Sequence, residues 1–314
     1  MRRLRILTWQ VHGNYLYYLT HAPHDFFVLS KPGRPPGYGG RNGTLPWGGN
    51  VHDCPVAAVS RESFDCVLFQ SLAHYRDDQH EILSDAQRRL PRIYLEHDPP
   101  LGHPTNTVHP VDDPSTMIVH VTHYNALMWD CGRVPTRVVE HGVRVPDGVD
   151  WSGERPRGVA VINHLARRGR RLGADVFDAW RREVPLELYG MDARASGGAG
   201  ELPYAELLPA MARHRFYAHP VRYTSLALAL CEAMMVGLPV VGLATTELPK
   251  IVRESGGGYA DTELARLVDF CRELIRDHAH AQALGRKARD YARERFGIER
   301  FARDWDAVFR EATT

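Results

Sequence analysis

Short apolar segments alternate with helical patterns twice along this chain, and this alternation constrains its fold more than any other feature. In the first half, segments rich in Val, Ile, Leu, Phe and Tyr predict strands at 5–9, 25–29, 64–70, 92–96 and 116–121. The patterns at 77–89 and 123–131 predict helices between them. Strands that alternate with helices are typical of a parallel sheet with helices on its faces.

A second set of alternating segments follows a linker. Residues 145–158 are rich in Gly, Pro and charge, which is typical of a connection between domains. After it, strands are predicted at 158–162, 186–188, 216–218 and 239–243, and helices at 171–182, 204–213, 226–236, 262–277, 280–296 and 298–312. The 314 residues therefore predict two α/β domains, and sheets of this kind bind ligands at the carboxyl ends of their strands. In a two-lobed protein that place is the cleft between the lobes.

The composition excludes several classes of protein. Hydrophobic residues make up 44% and charged residues 25%, as in globular proteins, and no apolar run reaches the ~18–20 residues of a membrane span. The net charge of +1 predicts no nucleic-acid partner. The basic start, with Arg2, Arg3 and Arg5, predicts at most weak peripheral membrane contact. Its apolar run is too short for a signal peptide, and the five scattered cysteines fit reduced thiols, so we expect a cytoplasmic protein.

Glycine-rich stretches and histidine pairs are weaker signals. The loop 32–50 lacks the Lys-Ser/Thr of a nucleotide P-loop, and it is either a plain long loop or one that covers a substrate. His21 with His24, and His120 with His123, have metal-like spacing but lack a third ligand. We therefore predict no metal site and no cofactor.

The most informative stretch runs from residue 216 to 252 and predicts a strand, a polar loop, a helix, a Gly turn and a strand. The sequence places Tyr223, Thr224 and Ser225 at the helix N-terminus, where free N–H groups and the helix dipole favour an anion. Glu232 lies about two turns into the helix, in the apolar run LALALCEAMM, where a carboxylate needs a partner. It is either held by neighbouring protein groups or accepts hydrogen bonds from sugar hydroxyls.

The segment HPVRYTSLALALCEAMMVGLPVVG resembles the donor-binding motif of retaining, family-4-like glycosyltransferases. Their fold is GT-B, in which two Rossmann-like domains face each other across a cleft. The motif has two Glu residues separated by seven positions, then Ala-Met, a Gly and Pro-Val-Val. Glu232 matches the second Glu, and Thr224 stands in place of the first. The resemblance implies that Glu232 binds the nucleotide ribose and that Thr224 contacts the donor sugar.

A second segment, VAVINHLARRGRRLGADVFDAW, resembles the strand, loop and helix that bind the donor diphosphate. His164 falls at the family's Arg position, and Arg168 with Gly169 at its Lys-Gly position. Arginine forks suit phosphate oxygens, although the same cluster fits a solvated basic loop. The resemblance implies that the diphosphate is bound by His164, Arg168, Arg171, Ser225, Leu226 and, in the first domain, Gly13.

The first half carries a fainter resemblance. IYLEHDPP is similar to the loop in which these enzymes place a His near the donor sugar, which makes His97 the candidate catalytic residue. The turn after the first strand implies acceptor binding by His12, Asn14 and Tyr15. The fold implies that the last helix crosses back, so the domains are 1–147 with 298–314 for the acceptor, and 155–297 for the donor.

The resemblance implies a hexosyltransferase-type enzyme that moves a sugar from a nucleotide-diphosphate sugar to a carbohydrate, lipid-linked or small-molecule acceptor. It implies retention of configuration without metal, and polysaccharide biosynthesis is the expected setting. The only Asp-x-Asp, at 304–306, is predicted as helix surface. Two alternatives remain. One is a non-catalytic sugar-nucleotide-binding protein of the same descent, which Thr224 and His164 favour, and the other is a related enzyme such as a nucleotide-sugar epimerase.

Overall fold

The computed structural model describes residues 2–11, 13–41, 43 and 45–314, and the chain divides into two compact units. The first unit consists of Met1–Gly142 and Ile298–Thr314, and the second consists of Val143–Gly297. The units part at Gly142, a few residues before the linker that the sequence predicts.

The first unit is built on a seven-stranded parallel sheet. Its strands are β1 (Arg5–Thr8), β2 (Asp25–Ser30), β3 (Val51–Pro55), β4 (Cys66–Phe69), β5 (Arg92–Glu96), β6 (Thr116–His120) and β7 (Thr136–Val138). They lie in the order β3-β2-β1-β4-β5-β6-β7. The helices between them are α1 (Gly13–Leu19), α2 (Gln79–Ile82), α3 (Asp85–Arg88) and α4 (His123–Met128). This order is that of a doubly wound dinucleotide-binding sheet, extended by β7.

The second unit is built on a five-stranded parallel sheet. Its strands are β8 (Arg155–Val161), β9 (Leu186–Tyr189), β10 (His214–His219), β11 (Val240–Leu243) and β12 (Gly258–Asp261). They lie in the order β12-β11-β10-β8-β9, with β8 next to β10. The helices are α5 (Leu165–Arg168), α6 (Ala174–Trp180), α7 (Tyr204–Ala212), α8 (Leu228–Val236), α9 (Leu248–Ser255), α10 (Leu264–Arg276) and α11 (His278–Arg295). Every residue of β10 and β11 is buried, as expected for parallel strands covered on both faces.

The C-terminal helix α12 (Ile298–Ala312) belongs to the first unit. Phe301, Trp305 and Phe309 recur every fourth residue and are fully buried on one face of it. The indole N–H of Trp305 donates to the Tyr15 hydroxyl at 3.3 Å. The two carboxylates of the Asp-x-Asp segment pair with arginines of the same helix, Asp304 with Arg300 at 2.6 Å and Asp306 with Arg310 at 2.9 Å.

Some predicted elements are wrong in extent, and some strands were missed. The predicted helix 77–89 is broken at Leu83, whose backbone is extended, and Ser84 then caps α3 through a reciprocal hydrogen-bonded pair with Gln87. The predicted helix 171–182 begins only at Ala174, because Gly173 before it is left-handed. The strands β3, β7 and β12 were missed because they lie at sheet edges and lack a continuous apolar run.

Among the described residues, no helix combines the length and the apolar character that crossing a bilayer requires.

Two buried histidines predict a loss of stability in mild acid. Burial lowers the pKa of His120 in the first unit and of His219 in the second to about 4, from 6.5. Between these values the unfolded chain binds more protons, so each group lowers the free energy of unfolding of its unit as the pH falls. The loss reaches about 3 kcal/mol for each group below pH 4. Urea unfolding at pH 7 and pH 5 measures it. His120→Asn is expected to reduce the pH slope of the first unit without removing it, because burial lowers the pKa of His74 in this unit to about 4 as well, whereas an unchanged slope would contradict the assignment. The exposed His103→Asn is the matched control.

Candidate active site

The sheet order of the second unit brings the predicted donor-binding residues to one place. In the order β12-β11-β10-β8-β9, the chain reverses direction between β8 and β10, and ligands of doubly wound sheets bind at the carboxyl ends of strands at such a point. His164, Arg168 and Arg171 follow β8, whereas Thr224, Ser225 and Leu226 follow β10. The two segments that resemble donor-binding motifs therefore meet at the switch point of the sheet.

Direct contacts join the loops after β8 and β10. The backbone N–H groups of Arg222 and Tyr223 both donate to the carbonyl of Arg171, each at 3.1 Å. The guanidinium of Arg222 donates to both carboxylate oxygens of Asp175, at 2.5 and 2.9 Å, and to the carbonyl of Arg170 at 2.9 Å. The hydrogen bonds from Arg222 lower the pKa of Asp175. Arg170, one of the predicted basic cluster, also pairs with Asp175 at 2.5 Å. These contacts hold Arg171 beside the segment that carries Thr224.

The glycine at position 173 makes this contact possible, and its replacement is a test. Gly173 is left-handed, with φ +78°, and a Cβ there would lie 1.9 Å from the carbonyl oxygen of Pro220. Gly173→Ala is therefore expected to separate the two loops and to destabilise the unit by about 2–4 kcal/mol, strain and clash together. Gly256→Ala is the matched control, because Gly256 in the same unit is also left-handed, with φ +58°, and its Cβ position meets only the flexible side chain of Lys287, at 3.6 Å. Equal thermal unfolding of the two variants would contradict the close approach.

The start of α8 differs from the prediction. The helix begins at Leu228, and Ala227 precedes it with extended backbone and no side-chain cap. Tyr223, Thr224 and Ser225 thus lie in the loop before the helix, two residues further from its first residue than predicted. The Ser225 residue is buried at 2% exposure rather than placed as a cap. The free backbone N–H groups expected at the start of the helix therefore begin two residues further along the chain than predicted.

Glu232 is a buried carboxylate near the start of α8. It is 2% exposed and lies about one turn into the helix, not two, because the helix starts later than predicted. Its negative charge adds to burial in raising the pKa of Tyr217 on β10. The carboxylate therefore lies near the strand whose carboxyl end carries the Thr224 loop.

His164 follows β8 in a left-handed conformation, with φ +54°. Its Nδ1 pairs with a carboxylate oxygen of Asp192, which follows the neighbouring strand β9. Asp192 was missed by sequence reasoning, because it lies 28 residues further along the chain and no local pattern connects the two.

In the first unit, Gln70 links the ends of three strands. The switch point of this sheet lies between β1 and β4. The Gln70 amide donates to the carbonyl of Trp9 at 2.9 Å and to Thr8 Oγ1 at 3.2 Å, and its oxygen lies 3.3 Å from His97 Nε2. Gln70 was not predicted as a site residue, although its position directly after β4 could have indicated it.

The predicted acceptor residues follow β1. The ring of Tyr15 packs edge-on against His97, at 4.7 Å between ring centres, and the buried Tyr15 hydroxyl accepts from Trp305. Gly13 begins α1 and Asn14 is half-buried. His12 lies outside the described residues. The structure thus brings Tyr15 and His97 together.

Part of the loop 32–50 is held against the sheet. Backbone N–H groups of Gln10 and Gly40 donate to the carbonyls of Gly37 and Leu29, at 3.2 and 3.0 Å. In the described part of the chain, no three His, Cys, Asp or Glu residues group as metal ligands would. His21 and His24 point to separate partners, the carbonyls of Tyr17 and Tyr18 and the carboxylate of Asp306.

Comparison with known proteins identifies the segment that holds Thr224 and Glu232. Residues 197–277, about a quarter of the chain, match the family model for glycosyl transferases group 1. The chain carries a group 1 glycosyl transferase domain. The predicted resemblance to glycosyltransferases, apart from retention of configuration, and the predicted enzyme class, a glycosyltransferase, are thereby confirmed. No curated protein sequence matches the chain.

Solved structures show the fold around this glycosyl transferase domain. Sucrose-phosphate synthase from Thermosynechococcus elongatus has a TM-score of 0.69 at 14% identity, with 99% of each chain covered. HepE from Anabaena in complex with UDP has a TM-score of 0.67 at 14% identity, with 99% of this chain and 100% of that chain covered. HepE is also known with UDP-glucose. AviGT4, a glycosyltransferase of avilamycin A biosynthesis, has a TM-score of 0.63 at 15% identity, with 99% and 98% covered. The predicted α/β fold of the GT-B type is confirmed.

Proposed function

We propose that the chain transfers a sugar from a nucleotide-diphosphate sugar to a carbohydrate, lipid-linked or small-molecule acceptor, with the donor bound by the second unit and the acceptor by the first. This proposal rests on the contacts between the loops after β8 and β10. The loop after β10 lies within the segment that matches the glycosyl transferase model, and the loop after β8 precedes that segment. These contacts place cationic side chains at the carboxyl ends of parallel strands, where doubly wound sheets take nucleotides.

The diphosphate is the part of the donor that these two loops suit. Transfer of the sugar leaves negative charge on the departing diphosphate, and fixed cations stabilise that charge. Arg168 and Arg171 are half-buried in the loop after β8, so their guanidinium groups are constrained in position. His164, the amides around Ser225 and Leu226, and Gly13 of the first unit complete the proposed phosphate contacts. In this proposal the protein supplies the charge itself, and no metal takes part.

Glu232 and Thr224 account for the rest of the donor. Glu232 is buried at 2% exposure, and a carboxylate in such a place accepts charge-assisted hydrogen bonds from two ribose hydroxyls. Thr224 lies in the loop before α8 and offers one hydroxyl to the donor sugar where the family motif has a Glu. Because HepE binds UDP and UDP-glucose, uridine donors are the first to test.

In the first unit, His97 is proposed to act near the donor sugar, with His12, Asn14 and Tyr15 binding the acceptor. Gln70 fixes the His97 ring, because its amide oxygen lies 3.3 Å from Nε2 and its nitrogen is bound to the end of β1. The transfer is proposed to retain the anomeric configuration. A cytoplasmic role in polysaccharide biosynthesis, with at most weak membrane contact through Arg2, Arg3 and Arg5, completes the proposal.

One alternative is supported by specific residues. A non-catalytic protein of the same descent would bind the nucleotide sugar without transferring it, and Thr224 in place of the first motif Glu favours that reading. Both functions require the same donor site, so binding alone does not separate them.

A thermal-shift screen of UDP, GDP, ADP, TDP and CDP and their sugar conjugates, with EDTA present, tests the donor site. A ligand at 100 times its Kd stabilises the folded unit by about 2.7 kcal/mol. We expect one nucleotide series to raise the melting temperature without metal. No shift with any nucleotide, with or without magnesium, would overturn the proposal.

A further inference from the structure

The residue at the end of β8 is held in an unusual backbone conformation. His164 has φ +54°, and a left-handed non-glycine residue costs roughly 1–2 kcal/mol. Its N–H donates to the carbonyl of Met191 at 2.8 Å, and the N–H of Met191 donates to the side chain of Asn163 at 2.9 Å. The surrounding loops therefore impose this conformation, as they do at many functional sites.

The partner loop is equally constrained. Gly190 has φ +132°, and a Cβ there would lie 2.6 Å from the carbonyl oxygen of Ile162, so the loops after β8 and β9 approach closely. Asp192, two residues later, is itself left-handed, with φ +56°. Two strained residues thus meet through their side chains, where Asp192 Oδ2 pairs with His164 Nδ1.

This pairing leaves the other ring nitrogen for a ligand. Within the described residues, Nε2 of His164 has no hydrogen-bond partner, and the His164 side chain is 27% exposed. The turn α5 packs against the turn Ala193–Ser196. The charged groups on the segments packed around the imidazole are Asp192, Arg194, Arg167, Arg168, Arg170 and Arg171. Asp192 is the anion that reaches the imidazole, whereas Asp175, on the helix α6 packed against α5, is bound by Arg170 and Arg222.

We propose that Asp192 is a positioning residue that holds His164 Nδ1, so that Nε2 is presented as a hydrogen-bond donor to the diphosphate of the nucleotide sugar. This inference rests on the proposed donor site. With Nδ1–H donated to Asp192, Nε2 carries a proton only when the ring is a cation. The cationic ring can donate from Nε2 and the neutral ring cannot, so donor binding is expected to depend on pH. An arginine at position 164 would lack this dependence.

Binding of a nucleotide sugar to the full chain between pH 6 and 8.5 tests the proposal. UDP-glucose is the first probe, because its diphosphate is substituted at both ends and keeps its charge over this range. If the screen above identifies another base, its glucose conjugate replaces it. The variants are His164→Arg, Asp192→Asn and Asp192→Ala, with Asp178→Asn as the control, since Asp178 is an exposed carboxylate paired with Arg181 in the same unit. EDTA is present throughout.

For the wild type and the control, we expect Kd to rise at least about five-fold from pH 6 to 8.5, as a charge-assisted hydrogen bond is lost. His164→Arg is expected to bind with a Kd independent of pH. Asp192→Ala is expected to weaken binding at pH 6, so that the Kd of this variant at pH 6 approaches the Kd of the wild type at pH 8.5. Asp192→Asn keeps the shape of the carboxylate and is expected to shift the pH profile to lower pH.

A wild-type Kd that is constant from pH 6 to 8.5 would overturn the inference. So would a His164→Arg variant that keeps the wild-type slope, or Asp192 variants with the wild-type profile. These results leave the donor site intact, since binding is still observed. A wild type that binds no nucleotide sugar at any pH refutes the proposed function instead, and the inference with it.

Discussion

Glu232→Gln is expected to weaken binding of the nucleotide-sugar donor by about 10- to 150-fold, the loss of hydrogen bonds to a charged group. The carboxylate is 2% exposed and lies in a helix whose buried residues are otherwise apolar. The substitution keeps the volume and removes the charge, so packing changes little. If Glu232 contacted no ligand, its replacement by Gln would leave the affinity for the donor unchanged. Isothermal titration with the nucleotide sugar found in the screen measures the effect.

Glu206→Gln is the matched control for this variant, because Glu206 is exposed on α7 of the same unit. Its affinity is expected to equal that of the wild type. Thermal unfolding of both variants without ligand shows whether the unit is intact. Wild-type affinity in a folded Glu232→Gln variant would remove Glu232 from the donor site.

Trp305→Ala is expected to destabilise the first unit by about 3–5 kcal/mol, as truncation of a fully buried aromatic residue does. Trp305 has no exposed surface and packs between Phe301 and Phe309 of α12, and its indole N–H donates to Tyr15. The substitution removes both the packing and the hydrogen bond. Urea unfolding that follows the first unit measures the loss.

Two further substitutions separate the contributions. Trp305→Phe keeps most of the ring packing and loses the hydrogen bond to Tyr15, so a smaller cost of about 1–2 kcal/mol is expected. Arg303→Ala, on the exposed face of the same helix, is expected to change stability by less than about 0.5 kcal/mol. If all three variants unfolded alike, α12 would not be part of the core of the first unit.

The sequence predicted the interior of this fold better than its edges. Continuous apolar runs identified β1, β4, β5, β6 and β10, because parallel strands covered on both faces carry such runs. The edge strands β3, β7 and β12 are partly exposed and carry no comparable run. The starts of two helices were predicted wrongly, because the backbone conformation of one residue decides each of them. These residues are the left-handed Gly173 before α6 and the extended Ala227 before α8. These conformations depend on tertiary contacts, which a local pattern does not contain.

The residues of the candidate site also differ in whether a local sequence feature or a tertiary contact reveals them. Glu232 and the loop after β8 stood out from the sequence, because a carboxylate in an apolar run and a cluster of arginines are local features. Gln70 and Asp192 did not, since their significance lies in contacts with residues 27 and 28 positions away. Both support a histidine that the sequence did indicate. Residues that orient others are recognised only when the strands that carry them are placed side by side.

Release of free nucleoside diphosphate and labelled sugar from the donor tests directly whether the chain transfers sugar. The purified chain is incubated with the nucleotide sugar that stabilises it, in EDTA, with and without a panel of carbohydrate acceptors, and the products are separated. We expect the label to leave the nucleotide, slowly to water and faster with a suitable acceptor, and we expect Glu232→Gln to reduce both rates. A donor that binds tightly yet stays intact under all these conditions would contradict transfer and would make the chain a sugar-nucleotide-binding protein.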